Sequence, residues 1–340
     1  MSNGSGKGNS FQSDYARCER YFYFKHRRHL KHSKAVEGAA TIVGTALHEW
    51  LRAFYTAEME GNPFEHCKEQ AIAWFHTALQ GATAELPEGT DHTQLDKRAT
   101  TALALLARRA NTIWKRLQEG DERTLACELH LTLELPESFI FDNEESPKGN
   151  KLTICPELRH YTVQIDRVFD QIKHPDIDEA CRVVEDHKST SASSPKAQAQ
   201  QFLMNDQSTG YVFAFNKSIA ALGNFPRALL EDEHATAIRY DVWRVEGKID
   251  SDAAFHEEIR LVDPQVGSDW YKRLLLTRAR MSECWNYPLD LWTASRIAYG
   301  PCKLFGKECE FWPICDDPGN EERVIEEEYE ETSEEERTPA

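Results

Sequence analysis

The sequence has no apolar run approaching the length of a membrane span, no internal repeat and no signal peptide, since its first nine residues are rich in glycine and serine. These absences, together with 40% hydrophobic and 29% charged residues, predict a soluble, cytoplasmic globular protein. In that reducing compartment the nine cysteines are not expected to form a disulfide framework, although some could bind metal. A chain of 340 residues can hold one large domain or two small ones.

The chain also lacks a net positive charge, since its formal net charge is −17. This balance at first argues against a nucleic-acid partner. The negative charge is concentrated in residues 316–340, which hold twelve acidic residues and two arginines, a net of −10. We expect this acidic tail and residues 1–10 to be disordered. The tail could be a solvated appendage, or it could compete with nucleic acid for a basic surface or dock a partner.

The spacing of apolar residues predicts a helical N-terminal elaboration followed by an α/β or α+β core. Helical periodicity covers residues 14–30 and a mostly helical insertion over residues 45–118. From Cys127 to Leu135 apolar and polar residues alternate, which indicates a half-buried strand. The remaining predicted elements are strands 161–169, 180–187 and 236–245, helices 197–222 and 268–285, and a polar hairpin loop over residues 138–151.

The motif Asp186-x-Lys188 lies at the end of the strand predicted over residues 180–187. Residues two apart on a strand point to the same face, so these two side chains would project together. Asp166 lies on the preceding strand, and if the two strands are adjacent and antiparallel, both aspartates can meet at one edge. Such carboxylates bind Mg²⁺ or Mn²⁺ through oxygen, and a neighbouring ammonium can orient a metal-bound water. Glu185 could also be the ligand, although the i+2 relation to Lys188 favours Asp186.

Two further patterns lie on predicted helices. Gly44-x-x-x-His48 puts a histidine near the border of an apolar helix face and a glycine where the backbone could approach closely. A lone histidine in such a place is more often a core residue than a ligand. Gln207 and Tyr211 share one helical face, where an amide and a phenol could hold a phosphate, a base edge or a catalytic water. An ordinary amphipathic surface would show the same pattern.

Three cysteines, Cys302, Cys309 and Cys315, lie within fourteen residues in a setting of glycine, proline and aromatic residues. Three soft ligands indicate a metal or iron–sulfur site that lacks a fourth ligand. Cys18, on the first predicted helix, could complete the set and would join the two ends of the fold. The same four thiolates could hold Zn²⁺.

The first predicted helix combines basic residues with aromatic rings. This combination suits a single strand of DNA, because the basic side chains attract its backbone and the rings stack on its bases. We expect at least half of these rings to pack in the core instead. The candidate DNA-binding residues are Arg17, Arg20, Lys25, Arg27, Arg28 and Lys31.

In this order the motifs resemble those of the PD-(D/E)XK nuclease superfamily, over roughly residues 11–315. Within it the chain is similar to the RecB- and AddB-like iron–sulfur branch, with the CRISPR-associated adaptation nucleases and related phage exonucleases. Each motif is short, and the specificity lies in finding six of them in the right order. The gap of six residues between Cys302 and Cys309 is wider than the common gap of two, so both an iron–sulfur cluster and zinc stay open.

The resemblance implies a restriction-endonuclease-like core, in which a mixed central sheet is flanked by helices, as a single domain over residues 11–315. It implies that Mg²⁺ or Mn²⁺ is held by His48, Asp166, Asp186 and the backbone carbonyl of His187.

For the other motifs, the resemblance implies that Lys188 positions the attacking water and that Gln207 and Tyr211 contact DNA or order the site. It further implies a structural [4Fe–4S] cluster near the path of single-stranded DNA. The ligands of this cluster would be Cys18, Cys302, Cys309 and Cys315.

The implied function is metal-dependent hydrolysis of DNA by an exonuclease acting on ends or single strands in recombination, replication or repair. A rival within this class is a nuclease that trims DNA before its integration into a CRISPR array. Recombination, helicase or CRISPR-adaptation proteins could dock on the acidic tail. A non-catalytic DNA-binding or assembly protein with the same fold is the alternative from another class, against which the intact Asp166, Asp186 and Lys188 argue.

Overall fold

The computed structural model divides by internal contacts into two compact units. The first is built from Val36–Leu131 and Val163–Tyr271, and the second from Asn3–Ala35, Thr132–Thr162 and Lys272–Ala340. The structure describes residues 9–32, 38–86, 92–143, 146–175, 177, 179–190, 194–203, 206–219, 234–245, 254–287, 291–292, 302–304, 307–317 and 319–332.

Helices and strands are numbered in chain order. The helices are α1 (Asn9–Arg17), α2 (Glu19–Phe22), α3 (Ala39–Met59), α4 (Phe64–Ala84), α5 (Thr93–Gln118), α6 (Pro195–Leu203), α7 (Asp206–Ser218), α8 (Pro264–Cys284), α9 (Trp312–Asp316) and α10 (Glu321–Glu328). The strands are β1 (Leu30–His32), β2 (Glu122–Glu134), β3 (Ser138–Asn143), β4 (Ser146–Thr153), β5 (His160–Gln171), β6 (Cys181–Thr190), β7 (Ala235–Arg244), β8 (Phe255–Leu261), β9 (Lys303–Leu304), β10 (Lys307–Glu308) and β11 (Tyr329–Glu331).

A five-stranded mixed sheet with the order β2-β5-β6-β7-β8 forms the centre of the fold. β5 and β6 are antiparallel, β6 and β7 are parallel, and β7 and β8 are antiparallel. β6 is buried from Cys181 to His187, as its apolar sequence predicted. The mixed sheet flanked by helices confirms the predicted fold class, and the strands that carry the two aspartates are adjacent and antiparallel.

One strand of the sheet was missed, and one predicted loop is a hairpin. Four of the seven residues of β8 are polar or charged, including two adjacent glutamates, and its pairing with β7 is what makes it a strand. The region expected to be a hairpin loop forms the two antiparallel strands β3 and β4, with Phe139 opposite Leu152.

The predicted helical block consists of three helices that share one apolar core. α3 contributes the most, because apolar residues recur around much of its surface, and its Trp50 and Phe54 rings stack 5.0 Å apart. α4 is amphipathic and buries only Cys67, Ala71 and Phe75, at a spacing of four residues. None of the helices in the described ranges is both long and apolar enough to cross a membrane.

In the second unit, the prediction of one continuous helix over residues 14–30 is wrong. α1 ends at Arg17, and Cys18 has an extended backbone with φ −165° and ψ 118°. Its Sγ accepts a hydrogen bond from the Tyr21 backbone N–H, which caps the short helix α2. A π-helical turn, Tyr23–Arg27, then continues the chain. At the start, Asn9 and Ser10 belong to α1, while residues 1–8 lie outside the described ranges.

The expectation of a disordered acidic tail is wrong for residues 319–332. They form α10 and β11, and β11 pairs with β1 in antiparallel register. Three apolar side chains, Val324, Ile325 and Tyr329, lie within this acidic segment. They are buried in a cluster with Cys18 and Phe311. These apolar contacts and the strand pairing fold a segment whose net charge predicted disorder.

Candidate active site

The register of β5 and β6 brings the two aspartates together. Arg167 pairs with Glu185 across these strands, so Asp166 and Asp186 are the next opposing pair. The backbone N–H of His187 donates a hydrogen bond of 2.6 Å to Asp166 Oδ2. Both aspartates are almost fully buried. Sheet pairing therefore brings the two carboxylates together on one face of the sheet, on its neighbouring inner strands β5 and β6.

The alternation of β6 separates Asp186 from Glu185. Lys188 lies on the Asp186 face, with its Nζ 2.7 Å from Asp186 Oδ1. Glu185 points the other way, is 0% exposed, and accepts hydrogen bonds from Arg167 at 3.2 Å and from Arg239 at 2.6 Å. The geometry thus leaves Asp186 as the acid that faces Asp166, and Glu185 is occupied by arginines on the opposite face.

Helix α3 brings His48 to Asp166, with 3.2 Å between His48 Nδ1 and Asp166 Oδ1. Gly44 lies inside α3, one turn before His48, and not at the helix entrance as the sequence suggested. A Cβ at this glycine would lie 2.8 Å from Ser189 Oγ on β6. The glycine is therefore where the helix passes closest to the strand, which explains the Gly-x-x-x-His spacing.

Glu128 completes this cluster and was not among the residues predicted from the sequence. One ligand atom each of His48, Glu128 and Asp166 lies within 4.8 Å of the others. Glu128 has a left-handed backbone with φ +49°, and its Oε2 accepts a 2.5 Å hydrogen bond from the Gln164 amide. Strict alternation along Cys127–Leu135 made Glu128 look like an ordinary outward residue. An acid on the strand paired with the Asp166 strand was the only sequence signal available.

The electrostatics of the cluster favour binding of a cation. Burial opposes the His48 imidazolium, but the Asp166 carboxylate overrides it and raises the pKa of His48 to about 9. Burial alone would raise the pKa of Asp166, and the positive His48 holds it well below its usual range. Burial and the charge of Asp166 raise the pKa of Asp186 to about 6 and that of Glu128 to about 7, despite Lys188 beside Asp186.

The donor set suits a hard divalent metal ion. His48 offers an imidazole nitrogen, and Asp166, Glu128 and Asp186 offer carboxylate oxygens. Within the described residues, Asp186 Oδ2 is buried and has no hydrogen-bond partner. A buried carboxylate oxygen without a hydrogen-bond partner costs free energy unless it binds a cation or a proton. The residues present therefore fit Mg²⁺ or Mn²⁺.

Three other predicted site residues are placed as follows. The His187 ring is on the opposite face, with Nε2 3.7 Å from Glu185 Oε2 and Nδ1 3.5 Å from Asp241 Oδ2, so that only its backbone belongs to the aspartate site. On α7, the Gln207 amide donates a 2.6 Å hydrogen bond to the Tyr211 hydroxyl, which confirms that they share one helical face. Their roles toward DNA stay predictions.

In the second unit, Cys18, Cys302, Cys309 and Cys315 line one cavity together with aromatic side chains that include Tyr21. The Cys309 backbone N–H donates to the Cys302 carbonyl, which closes a tight hairpin between two of the cysteines. Cys315 lies on α9, and Cys18 caps α2. The structure thus brings Cys18 together with the three cysteines near the other end of the chain.

The four cysteines of this cavity are thiols whose chemistry would suit a metal group. Burial raises the pKa of Cys309, and it raises the pKa of Cys315 to about 11. Buried thiols grouped in this way become thiolates when a metal replaces their protons. The N–H of Tyr21, 3.5 Å from Cys18 Sγ, is the kind of donor that stabilises a ligating sulfur.

Three of the six predicted DNA-binding residues pair with acidic side chains in the part of the chain described here, and the role of all six toward DNA stays a prediction. Arg20 pairs with Glu321, Lys25 with Asp14, and Arg28 with Glu322 and Glu331. Arg17 lies over the Tyr21 ring, Arg27 is exposed beside Trp285, and Lys31 is exposed on β1, opposite Glu330. The acidic tail supplies most of these partners.

Comparison with known protein families identifies one match. Residues 11–316 match the family described as the PD-(D/E)XK nuclease superfamily. A provisionally named exonuclease from Eubacterium rectale is similar in structure, with a TM-score of 0.41 and 12% sequence identity over 83% of this chain and 82% of that one. No curated protein matches the sequence. Because the family match covers most of its length, the chain belongs to the PD-(D/E)XK nuclease superfamily.

Proposed function

We propose that this protein is a metal-dependent DNA exonuclease that acts on DNA ends or single strands in recombination, replication or repair. One observation carries the proposal: His48, Asp166, Asp186 and Lys188 converge around a buried oxygen of Asp186 that has no hydrogen-bond partner among the described residues. Nucleases of this superfamily generally use divalent metals.

Four side chains and one backbone carbonyl would hold the ion: His48, Glu128, Asp166, Asp186 and the carbonyl of His187. When bound, Mg²⁺ or Mn²⁺ would polarise the scissile phosphate and lower the pKa of a water molecule.

Around the metal position, each residue of the chain has a separate task. The His187 N–H fixes Asp166 in place through its 2.6 Å hydrogen bond. Lys188, held 2.7 Å from Asp186, orients the attacking water and offsets the charge that develops on the phosphate. Gln207 and Tyr211, already hydrogen-bonded to each other, contact the DNA or order the site.

For the cysteine cavity we propose a structural [4Fe–4S] cluster, with Zn²⁺ as the alternative at the same four thiolates. The support is the convergence of Cys18 with the three C-terminal cysteines in an aromatic setting. Visible absorbance and iron analysis of protein purified without oxygen would separate the two, because a zinc site is colourless.

The function is tested with end-labelled DNA, incubated with Mn²⁺ or with EDTA. We expect shortening from an end with Mn²⁺ only, and no shortening by Asp186→Ala. Asp269→Asn, an exposed carboxylate on α8, is the matched control and should cleave like the wild type. Identical Mn²⁺ and EDTA lanes for the wild type would instead favour a non-catalytic DNA-binding protein.

A further inference from the structure

Trp74, on α4, leaves a large aromatic surface open to solvent. It is 46% exposed, although the next residue, Phe75, is fully buried in the helical core. Of the large apolar side chains that are exposed in the described residues, Trp74 is the one tryptophan. α4 is anchored by Cys67, Ala71 and Phe75, so Trp74 is not needed to attach this helix to the core.

The ring is nevertheless held in place. The Arg52 guanidinium carbon lies 4.8 Å from the centre of the Trp74 ring. Arg52 is itself fixed by Glu49, whose Oε2 accepts hydrogen bonds of 2.6 Å and 2.9 Å from it. The carboxylate compensates the charge of Arg52, so this arginine serves to orient the ring more than to attract phosphate.

This orienting pair adjoins the proposed metal site. Arg52 lies one helical turn after His48 on α3, and both are on the half-exposed side of that helix. Glu49, which holds Arg52, follows His48 directly in the sequence. Arg52 therefore connects the exposed Trp74 ring to the side of α3 that carries His48.

We propose that Trp74 is a stacking platform for an unpaired base of single-stranded DNA whose backbone runs through the site of Asp166 and Asp186. Every base has a flat π-surface, so a tryptophan face holds a strand without selecting its sequence. Bases inside a duplex are already paired and stacked, and they cannot use such a platform. The proposal rests on the proposed nuclease function and names its substrate class, a single strand.

The test separates stacking from ordinary surface packing. Oligonucleotides carrying the fluorescent base 2-aminopurine at successive positions are titrated with the full-length protein in EDTA, so that binding is read without cleavage. The variants are Trp74→Ala and Trp74→Phe. The matched control is Ile72→Ala, a residue of the same helix that is 40% exposed but points to another side.

We expect the wild type to quench 2-aminopurine at one position near the cleaved end, and Trp74→Ala to lose this quenching with about tenfold weaker binding. Trp74→Phe and Ile72→Ala should bind within about twofold of the wild type, because the first keeps an aromatic face. With Mn²⁺, Trp74→Ala should raise KM for the single strand and leave kcat unchanged. All variants should keep the melting temperature of the wild type within a few degrees.

Equal binding and quenching by Trp74→Ala and Ile72→Ala would overturn the platform, and the nuclease function would stand if the wild type still cleaved. Equal losses for duplex and single-stranded DNA would also overturn it, because a base platform distinguishes the two. A wild-type protein that neither binds nor cleaves DNA would overturn both proposals.

Discussion

Glu185 and Asp186 are neighbours in sequence and both are buried, yet they lie in opposite electrostatic environments. On the Glu185 face, each of the five strands contributes one residue to a row of alternating charge: Glu122, Arg167, Glu185, Arg239 and Glu257. On the Asp186 face, three carboxylates share one lysine and one histidine.

The difference shows in the pKa values of the two faces. Burial disfavours a carboxylate on either side, but the arginines reverse this and hold the pKa values of Glu122 and Glu257 well below their usual range. On the other face, His48 holds the pKa of Asp166 low, but burial prevails at the other two carboxyls and raises the pKa of Asp186 to about 6 and of Glu128 to about 7. On the Glu185 face the buried charges compensate one another. On the Asp186 face a bound cation or bound protons must compensate the carboxylates.

The largest expected effect concerns the Asp186 face. Asp186→Asn should lower the cleavage rate by about a thousandfold, because it removes a metal-binding oxygen at the reacting centre. Its free energy of unfolding, measured in urea without metal, should change by less than about 1 kcal/mol, since the lost carboxylate was only partly satisfied. A loss of stability as large as that of Glu185→Gln would contradict the contrast between the faces.

The converse is expected for Glu185→Gln. The neutral side chain leaves Arg167 and Arg239 buried without their shared carboxylate, which should lower the free energy of unfolding by about 3 kcal/mol. Cleavage per folded molecule, measured well below the unfolding temperature, should fall far less than for Asp186→Asn. If activity vanished in a protein that is fully folded by circular dichroism, Glu185 would share the ligand role after all.

The pH dependence of metal binding should depend only on the groups of the Asp186 face. In the metal-free protein, folding raises the pKa of His48 to about 9, of Glu128 to about 7 and of Asp186 to about 6, so folding favours their protonated forms. Stability from these groups is therefore present at low pH and is lost as pH rises through those values. Mn²⁺ must displace the same protons, so its affinity should rise between pH 6 and 9.

Calorimetry in buffers of different ionisation enthalpy measures this release. At pH 7 we expect between about one and two protons per metal ion, mainly from His48 and partly from Glu128. Glu128→Gln is the control and should lower the number by about half a proton. A release of zero protons would show that these side chains do not bind the metal.

The smallest effect is expected at the helix crossing. Gly44→Ala places a Cβ 2.8 Å from Ser189 Oγ and should shift α3, weakening Mn²⁺ binding about threefold to tenfold through His48. In the free energy of unfolding, the higher helix propensity of alanine offsets this strain by about 1 kcal/mol. The double variant Gly44→Ala with Ser189→Gly should recover the affinity, and an unchanged affinity in Gly44→Ala alone would separate the glycine from the site.

Much of the site was predictable because its motifs are local. The i+2 spacing of Asp186 and Lys188 on a strand and the i+4 spacing of Gln207 and Tyr211 on a helix follow from backbone geometry, and both are seen. Glu128 could not be predicted, because its left-handed backbone breaks the alternation that the leucines around it suggest. β8 and the folded part of the acidic tail were missed because strand pairing and a few buried apolar residues outweigh local composition.

The sequence by itself indicated the superfamily through the order of its motifs, and the resemblance implied the mixed sheet with its flanking helices. Periodicity and short spacings located the residues that carry the motifs, because they act within one element. The tertiary structure decided which of two adjacent acids faces Asp166 at the proposed metal site, that Glu128 joins this cluster, and that Cys18 lines one cavity with the three C-terminal cysteines. These outcomes depend on strand register and helix crossings. They bring residues far apart in the chain within a few ångströms, where burial and neighbouring charges set their chemistry.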